Sequence, residues 1–404
     1  MSDSLEKKHV ISFRNALILA VVIVLVSVTN SILLRDNPEI LRFTSDTFAA
    51  LINFLATLGL IYGALNSDYD KNIRRAWSVI AFAQALYTIG DIIWFVLEVG
   101  LHESPFPSLA DGPYLAFFPI FALGIFLLPK VPLTYSEKLK ILLDTGIVMI
   151  ASIILFWVLL IAPTIESNAQ ADTLTLTLSV AYPVADLLLL FALIELLLRR
   201  IRSVSSIPIL LLVASVAFMI ATDFVFMSQS LQGTYVSGGL LDTGWIIAYT
   251  LTGLAGISQA NSKRLDLSSE ILESKGVQFT WPLYIPYICA GATYILLIWS
   301  YDHPMPVSFY ALSLGLGGII GMVIIRQVVA LNENVRLNEE LENRVTERTA
   351  QLESTNKELK IEIQERKKAE EALNSARDDL ELRVKERTAE TSASSFTSII
   401  HFVE

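Results

Sequence analysis

Long apolar runs, each close to 20 residues, dominate the first 330 positions of the chain. A helix needs about 20 apolar residues to cross the hydrocarbon core of a bilayer, and it satisfies its backbone polar groups internally. The pattern therefore predicts an all-α, polytopic transmembrane bundle over residues 16–330, preceded by a cytoplasmic N-terminus, 1–15. The predicted spans, about ten in number, are 16–34, 46–66, 76–99, 112–129, 141–163, 174–198, 207–228, 240–258, 281–300 and 307–329.

The pattern changes after position 330, where Glu, Lys, Arg and Asn separate single apolar residues. Four leucines of this segment share one heptad phase: Leu352, Leu359, Leu373 and Leu380. Such a repeat is typical of a coiled coil, so residues 331–390 are predicted to form a long cytoplasmic coiled-coil helix. Residues 391–404 are expected to be a disordered or truncated tail. Because no Pro or Gly follows Met322, the last span should continue from about Val307 into the 340s as one helix.

Basic residues fall in alternate loops between the predicted spans, and only Arg35 and Arg42 break this alternation. Cytoplasmic loops of multi-pass proteins are enriched in Lys and Arg. The chain is therefore predicted to lie in the cell (plasma) membrane with both termini in the cytoplasm. The loop cations that carry this prediction are Lys71, Arg74, Arg75, Lys130, Lys138, Lys140, Arg199, Arg200, Arg202, Lys263, Arg264 and Lys275.

Composition excludes several classes of function. The net charge is −10, which does not favour a nucleic-acid partner, because phosphate binding requires clustered positive charge. The single cysteine, Cys289, lies in an apolar run, and the four histidines are far apart, so no metal site and no cofactor are predicted. Neither a phosphate-binding loop nor a hydrolase nucleophile motif occurs in the sequence. We therefore expect a chain without a catalytic domain.

Two pairs of spans carry similar acidic and aromatic positions. Asp91 precedes Asp111 by 20 residues in spans three and four, and Asp223 precedes Asp242 by 19 residues in spans seven and eight. Because the two pairs lie four spans apart, they have the same predicted orientation. Spans two to five and six to nine are therefore predicted to be parallel repeats, of a type known in transporters. Chance similarity between apolar helices is the alternative.

Acids and aromatic rings near the outer ends of these spans are the candidates for ligand sensing. A charged group at the centre of a bilayer costs about 2.5–3.5 kcal/mol on insertion scales, so it requires a reason. Acids beside rings suit a cationic or amine ligand, or a proton-sensing site. The alternatives are helix N-caps, interhelical hydrogen bonds and an interfacial aromatic belt. The candidates are Asp91, Trp94, Asp111, Tyr114, Asp186, Asp223, Asp242 and Trp245.

Two phrases in the heptad segment, Glu347-Arg-Thr-Ala-Gln-Leu352 and Glu365-Arg-Lys-Lys-Ala-Glu-Glu-Ala-Leu373, resemble the signalling-helix linkers of sensor histidine kinases. The membrane segment resembles the sensory regions that precede multi-pass sensor histidine kinases and diguanylate cyclases. This second resemblance rests on Pro107-Ser-Leu-Ala-Asp-Gly-Pro-Tyr114, Ala181-Tyr-Pro-Val-Ala-Asp186 and Asp242-Thr-Gly-Trp245. The resemblance implies a sensory region without its output domain, because no phosphoacceptor or ATP-binding domain follows residue 389.

These observations predict the sensory and relay portion of a membrane receptor. A stimulus would pass through the last span into a coiled coil of a parallel homodimer, formed through 331–390, and then to an unknown cytoplasmic signalling partner. The lipid bilayer is the other expected partner. Two alternatives remain: a small-molecule transporter, and a truncated remnant of a sensor histidine kinase.

Overall fold

A computed structural model of the chain describes residues 11–66, 71–129, 132–198, 206–261, 281–303 and 305–400. The chain divides into two units, Met1–Ala330 and Leu331–Glu404. Some of the features predicted above lie outside the described residues. They are residues 1–10 of the predicted N-terminus, Lys130, Arg199, Arg200, Arg202, Lys263, Arg264, Lys275 and the last four residues of the predicted tail.

All regular structure in the described residues is helical, which confirms the predicted all-α class. The first unit begins with α1 (Phe13–Leu33), α2 (Pro38–Asn66), α3 (Lys71–Phe95), α4 (Asp111–Phe126) and α5 (Tyr135–Phe156). It continues with α6 (Ala162–Ser167), α7 (Thr173–Leu198), α8 (Ser206–Leu231), α9 (Asp242–Asn261) and α10 (Ile285–Asp302). π-Helical turns extend α3 over Val96–Gly100 and join α5 to α6 over Trp157–Ile161. A 3-10 turn, Trp281–Tyr284, precedes α10.

Each predicted span falls on one of these helices or on α11 (Phe309–Ile400). Among the described residues, seven helices are long and apolar enough to cross a membrane, and α4 is a shorter apolar helix. Large apolar side chains such as Leu25, Phe82 and Leu142 are more than half exposed on these helices. Exposed apolar side chains on several long helices are compatible with a lipid environment. The number of ten membrane crossings stays a prediction.

The core of the first unit is formed where α2 lies against α9. A Cβ on Gly59 would lie 2.8 Å from the carbonyl oxygen of Gly253, and one on Gly256 would collide with the backbone of α2. Glycine is required at these positions because the two backbones are in contact. α2 also packs on α3, and α3 on α4; in the same way α7 packs on α8, and α8 on α9. Further contacts join α4 to α7, α1 to α9 and α5 to α10.

The helix predicted to continue unbroken from the last span is confirmed, because α11 is helical from Phe309 to Ile400. Within the first unit, Leu312 and Ile319 are buried against α5 and α10. Near the end of this part, Arg326 forms an ion pair of 3.0 Å with Asp144 of α5 and donates to the Tyr287 hydroxyl of α10 at 3.0 Å. α11 also includes residues 391–400, the first part of the predicted tail.

Candidate functional site: an acidic aromatic cavity

A cavity of about 450 Å³ lies within the first unit, enclosed by α2, α3, α4, α6, α7, α8 and α9. This volume is typical of pockets that hold small organic ligands. Five carboxyl groups line it: Asp46, Asp91, Asp186, Asp223 and Asp242. Ten aromatic side chains also line it: Tyr87, Trp94, Phe106, Tyr114, Phe118, Tyr182, Phe226, Tyr235, Trp245 and Tyr249. No Lys or Arg of the described residues contributes to the lining.

The structure brings seven of the eight sequence-predicted residues to the cavity wall, and leaves Asp111 behind it. The Asp111 carboxylate is buried and accepts hydrogen bonds from the Tyr182 hydroxyl at 2.5 Å and from the Ser108 backbone N–H at 2.7 Å. Asp111 therefore fixes the position of Tyr182, which lines the cavity, and of the loop before α4. It does not itself line the cavity.

Both carboxylate oxygens of Asp91 have hydrogen-bond donors. The Asn53 side chain donates to its Oδ2 at 2.6 Å, and the Tyr114 hydroxyl donates to its Oδ1 at 2.8 Å. The Gln84 side-chain amide in turn donates to the side-chain oxygen of Asn53, Oδ1, at 2.5 Å. Gly90 makes room for the ring, since a Cβ there would lie 2.6 Å from Tyr114. Because both oxygens have donors, Asp91 is held as part of a network that joins α2, α3 and α4.

Asp223 occupies the corresponding place between α8 and α9. Its Oδ1 accepts a hydrogen bond from the Trp245 indole N–H at 2.7 Å. Trp245 follows Asp242 by three residues, as Tyr114 follows Asp111, so the two donors have equivalent positions on their helices. Gly244 again makes room, since a Cβ there would collide with the Thr222 side chain.

Asp186 and Asp223 form a pair of facing carboxyl groups, within hydrogen-bonding reach of each other. Asp186 is 4% exposed, and its Oδ1 and the Oδ2 of Asp223 are buried without an N–H or O–H donor from any described residue. Two negative charges this close repel strongly in a medium of low dielectric constant. A shared proton or a bound cation would relieve that repulsion.

A third acidic group lies where α2 meets the loop before α9. The Asp242 carboxylate accepts hydrogen bonds from the Gly238 backbone N–H at 2.7 Å and the Tyr235 hydroxyl at 3.1 Å. Burial raises the pKa of the Tyr235 phenol, and the neighbouring Asp242 raises it further, so this hydroxyl remains a donor. Asp46 lies nearby on α2, and its buried Oδ2 has no donor among the described residues.

Trp94 connects the cavity to a charged pair at its edge. Its indole N–H donates to Glu98 Oε2 at 2.5 Å, and the other carboxylate oxygen of Glu98 forms an ion pair of 3.0 Å with Arg42. Arg42, which breaks the loop-charge alternation, therefore neutralises a nearly buried acid. It does not line the cavity.

Sequence reasoning missed several residues of the site, among them Asp46, Tyr235 and the Asn53–Gln84 pair. The sequence contained a signal that could have identified Asp46, because it is an acid at the first position of a predicted span. Asp111 and Asp242 likewise lie close to the first positions of their predicted spans. The role of Asn53 had no such signal, since a single polar residue within an apolar helix does not reveal its partner.

No protein-family model matches the chain, and no curated protein and no solved structure is similar to it.

The arrangement is suited to binding an ammonium group, which has three donors and no acceptor, because the carboxylate oxygens of the cavity that lack a partner among the described residues can accept hydrogen bonds. The aromatic faces add attraction for a cation. Within the described residues, no group of three or more His, Cys, Asp or Glu is placed to hold a metal ion.

Proposed function

We propose that this chain is the sensory and relay portion of a multi-pass membrane receptor, and that the acidic aromatic cavity is its sensing site. One observation carries the proposal: a cavity lined by five carboxyl groups and ten aromatic rings, to which the described residues contribute no Lys or Arg. Structural acids are normally neutralised or fully hydrogen-bonded, whereas Asp46, Asp186 and Asp223 each keep a buried oxygen to which no described residue donates. Such a surface is complementary to a cationic ligand.

The membrane arrangement belongs to the same proposal. The chain would cross a plasma membrane about ten times with both termini in the cytoplasm, following the loop charges. The cavity residue Asp242 and the neighbouring Asp111 begin their helices, and Asp91 and Asp223 lie toward the ends of theirs, on the side that the loop charges assign to the outer face. A ligand would therefore reach the cavity from outside the cell.

The parallel repeat is proposed as the origin of the site. The hydrogen bond from Tyr114 to Asp91, at 2.8 Å, corresponds to the hydrogen bond from Trp245 to Asp223, at 2.7 Å. In both, an aromatic side chain near the start of one helix donates to an aspartate of the preceding helix. The packing of α2, α3 and α4 likewise corresponds to that of α7, α8 and α9. Two copies of one helical unit would thus face each other across the cavity, each contributing an acid and an aromatic donor.

The segment from α5 to α6 offers a route from the cavity to the last span. Its α6 end contributes Thr164 and Ser167 to the cavity wall. Its α5 part contacts α11, because a Cβ on Gly315 would lie 2.7 Å from Ile154. Between them lies the π-helical turn Trp157–Ile161, a local irregularity of a kind frequent at functional sites. A ligand that shifts α6 would shift this turn and the packing of α11.

The output of this route is proposed to be a parallel homodimer through residues 331–390. The heptad leucines are exposed in the single chain, with Leu352 at 64% and Leu373 at 71%. An apolar stripe of this length on one helix face is the surface that a second copy would cover in a coiled coil. No enzymatic activity is proposed for the chain, and the sequence resemblance to the sensory regions of histidine kinases is consistent with a separate output partner.

The experiment measures cross-linking of the coil while the cavity is altered. The Leu352→Cys variant in a Cys289→Ser background, as full chain in lipid nanodiscs, should form an intermolecular disulfide, whereas Lys357→Cys on the opposite helix face should not. Adding Asp223→Asn, which removes one charge of the facing pair, should change the rate of disulfide formation at least twofold. The matched control is Asp172→Asn, an exposed acid outside the cavity.

An unchanged rate in a folded Asp223→Asn variant would refute the relay, and equal cross-linking at positions 352 and 357 would refute the predicted seam. A transporter is the second candidate, because buried acids between parallel repeats also suit a translocation pathway. It is favoured if proteoliposomes take up labelled methylamine while the coil does not respond. A remnant of a sensor kinase is favoured by a kinase reading frame in the DNA directly downstream.

A further inference from the structure

We infer that the cavity binds a linear organic dication, of the α,ω-diamine class, with one ammonium group at the Asp186–Asp223 pair and the other at Asp46. This inference rests on the proposed function, since it names the ligand class of the same cavity. It is carried by the buried carboxylate oxygens of the cavity that have no donor among the described residues, and by the aromatic rings of the same wall.

The first ammonium position is defined by two of these oxygens. Asp186 Oδ1 and Asp223 Oδ2 belong to facing carboxyl groups on α7 and α8, and both are buried at the cavity wall. The remaining oxygen of Asp223 is held by Trp245, which orients the carboxyl group. An ammonium donor between two such groups would satisfy both oxygens and cancel their repulsion.

The second ammonium position lies on a different helix. Asp46 Oδ2 is the other buried carboxylate oxygen of the wall that has no donor among the described residues. Its neighbours are Asp242 and Glu98, and the guanidinium group of Arg42 is already engaged with Glu98. Of these three carboxyl groups only Glu98 has a cationic partner among the described residues, so Asp46 and Asp242 lack a compensating charge, and a second ammonium group would supply one.

The two other acids of the wall, Asp91 and Asp242, favour two separate ammonium positions over a continuous acidic surface, because both oxygens of each already have donors. Both oxygens of Asp91 already have donors, Asn53 and Tyr114, so Asp91 offers no free acceptor. Tyr87 and Tyr249 pack against each other in the same wall, with ring centroids 5.7 Å apart. A cavity whose wall carries both acceptor oxygens on different helices and apolar ring faces matches an alkyl chain with an ammonium group at each end.

The chemistry of the wall disfavours the other simple ligands. A divalent metal ion requires several oxygen ligands converging on one point, and the described residues contain no such group. Anions are repelled by the five carboxyl groups. A monoamine would satisfy only one of the two positions and would leave the other charge unpaired.

The test uses the full chain in lipid nanodiscs and isothermal titration with α,ω-diamines of three to eight carbons, the matching monoamines and a neutral diol. A diamine of one optimal length should bind at least about tenfold more tightly than its monoamine, and the diol should not bind. Asp186→Asn and Asp46→Asn should each weaken diamine binding by about tenfold or more. Monoamine affinity should change in only one of the two variants, because a monoamine occupies only one of the two positions. Asp172→Asn serves as the control.

A monoamine that binds as tightly as the best diamine, or a folded Asp46→Asn variant that binds diamines normally, would overturn the inference. Absence of binding by every diamine would also overturn it. The outcome is separable from the receptor proposal, because coil cross-linking in Asp223→Asn requires no ligand. If the coil responds to Asp223→Asn but no diamine binds, the receptor proposal is supported and the dication inference is refuted. If a diamine binds but the coil does not respond, the dication inference is supported and the receptor proposal is refuted.

Discussion

Replacing Asp144 by Asn should destabilise the first unit by about 3 kcal/mol, because it removes one partner of a nearly buried ion pair. The Asp144 side chain is 3% exposed and that of Arg326 is 13% exposed, with Nε and Oδ1 separated by 3.0 Å. Loss of one member of a fully buried pair costs about 3–5 kcal/mol, since the other charge stays in a medium of low dielectric constant. The lower end applies here because Arg326 retains some exposure and a bond to Tyr287.

The assay is reversible unfolding in mixed detergent micelles, followed by circular dichroism. The matched control is Glu340→Gln, which removes the partner of Arg344 in an exposed pair at 2.5 Å on the same helix. An exposed pair at this spacing contributes about 0.3–0.5 kcal/mol, so the control should change the free energy of unfolding little.

A double substitution, Asp144→Asn with Arg326→Met, distinguishes pairing from general packing. It should recover part of the loss, because no uncompensated charge is left, and the coupling between the two sites should be about 2 kcal/mol. The reasoning is refuted if Asp144→Asn costs no more than Glu340→Gln, or if the two single losses simply add. Either result would mean that water already solvates this end of α11.

Gly256→Ala should lower the free energy of unfolding by about 1–3 kcal/mol in the same assay, because a Cβ would collide with the backbone of α2. The control is Gly291→Ala, which should not destabilise the protein, because no described atom lies near the added Cβ. Equal effects of the two substitutions would contradict the close contact between α2 and α9. Trp245→Phe should cost about 1–3 kcal/mol, because it leaves the Asp223 carboxylate without its donor, and an unchanged unfolding curve would contradict the bond. Hydrogen bonds from the Thr175 side chain and backbone lower the pKa of the exposed Asp172 carboxyl below 3.8. The melting temperature of Asp172→Ala should therefore be reduced at neutral pH, and the difference should vanish as the pH falls through that lowered pKa; a constant difference at all pH values would contradict the assignment.

Helix positions and candidate side chains were accessible from the sequence because they depend on local pattern. Apolar runs near 20 residues identified the helices, and the absence of Pro and Gly after Met322 identified the unbroken α11. Acids within apolar runs stood out because they are costly there. This reasoning found seven side chains of the cavity wall.

The tertiary structure alone decided which of these acids are satisfied. Asp91 receives its donors from Asn53 and Tyr114, whereas one buried oxygen of Asp186 has no donor in the part of the chain that the structure describes, although both are single acids within apolar helices. The partners lie far apart in the chain, since Tyr182 reaches Asp111 across 71 residues. Helix periodicity determines the face on which a side chain lies, but the packing of helices determines what it meets. The sequence by itself determined the elements and their costly residues, and only the packing of α2 against α9 and of α4 against α7 determined that these residues enclose a cavity.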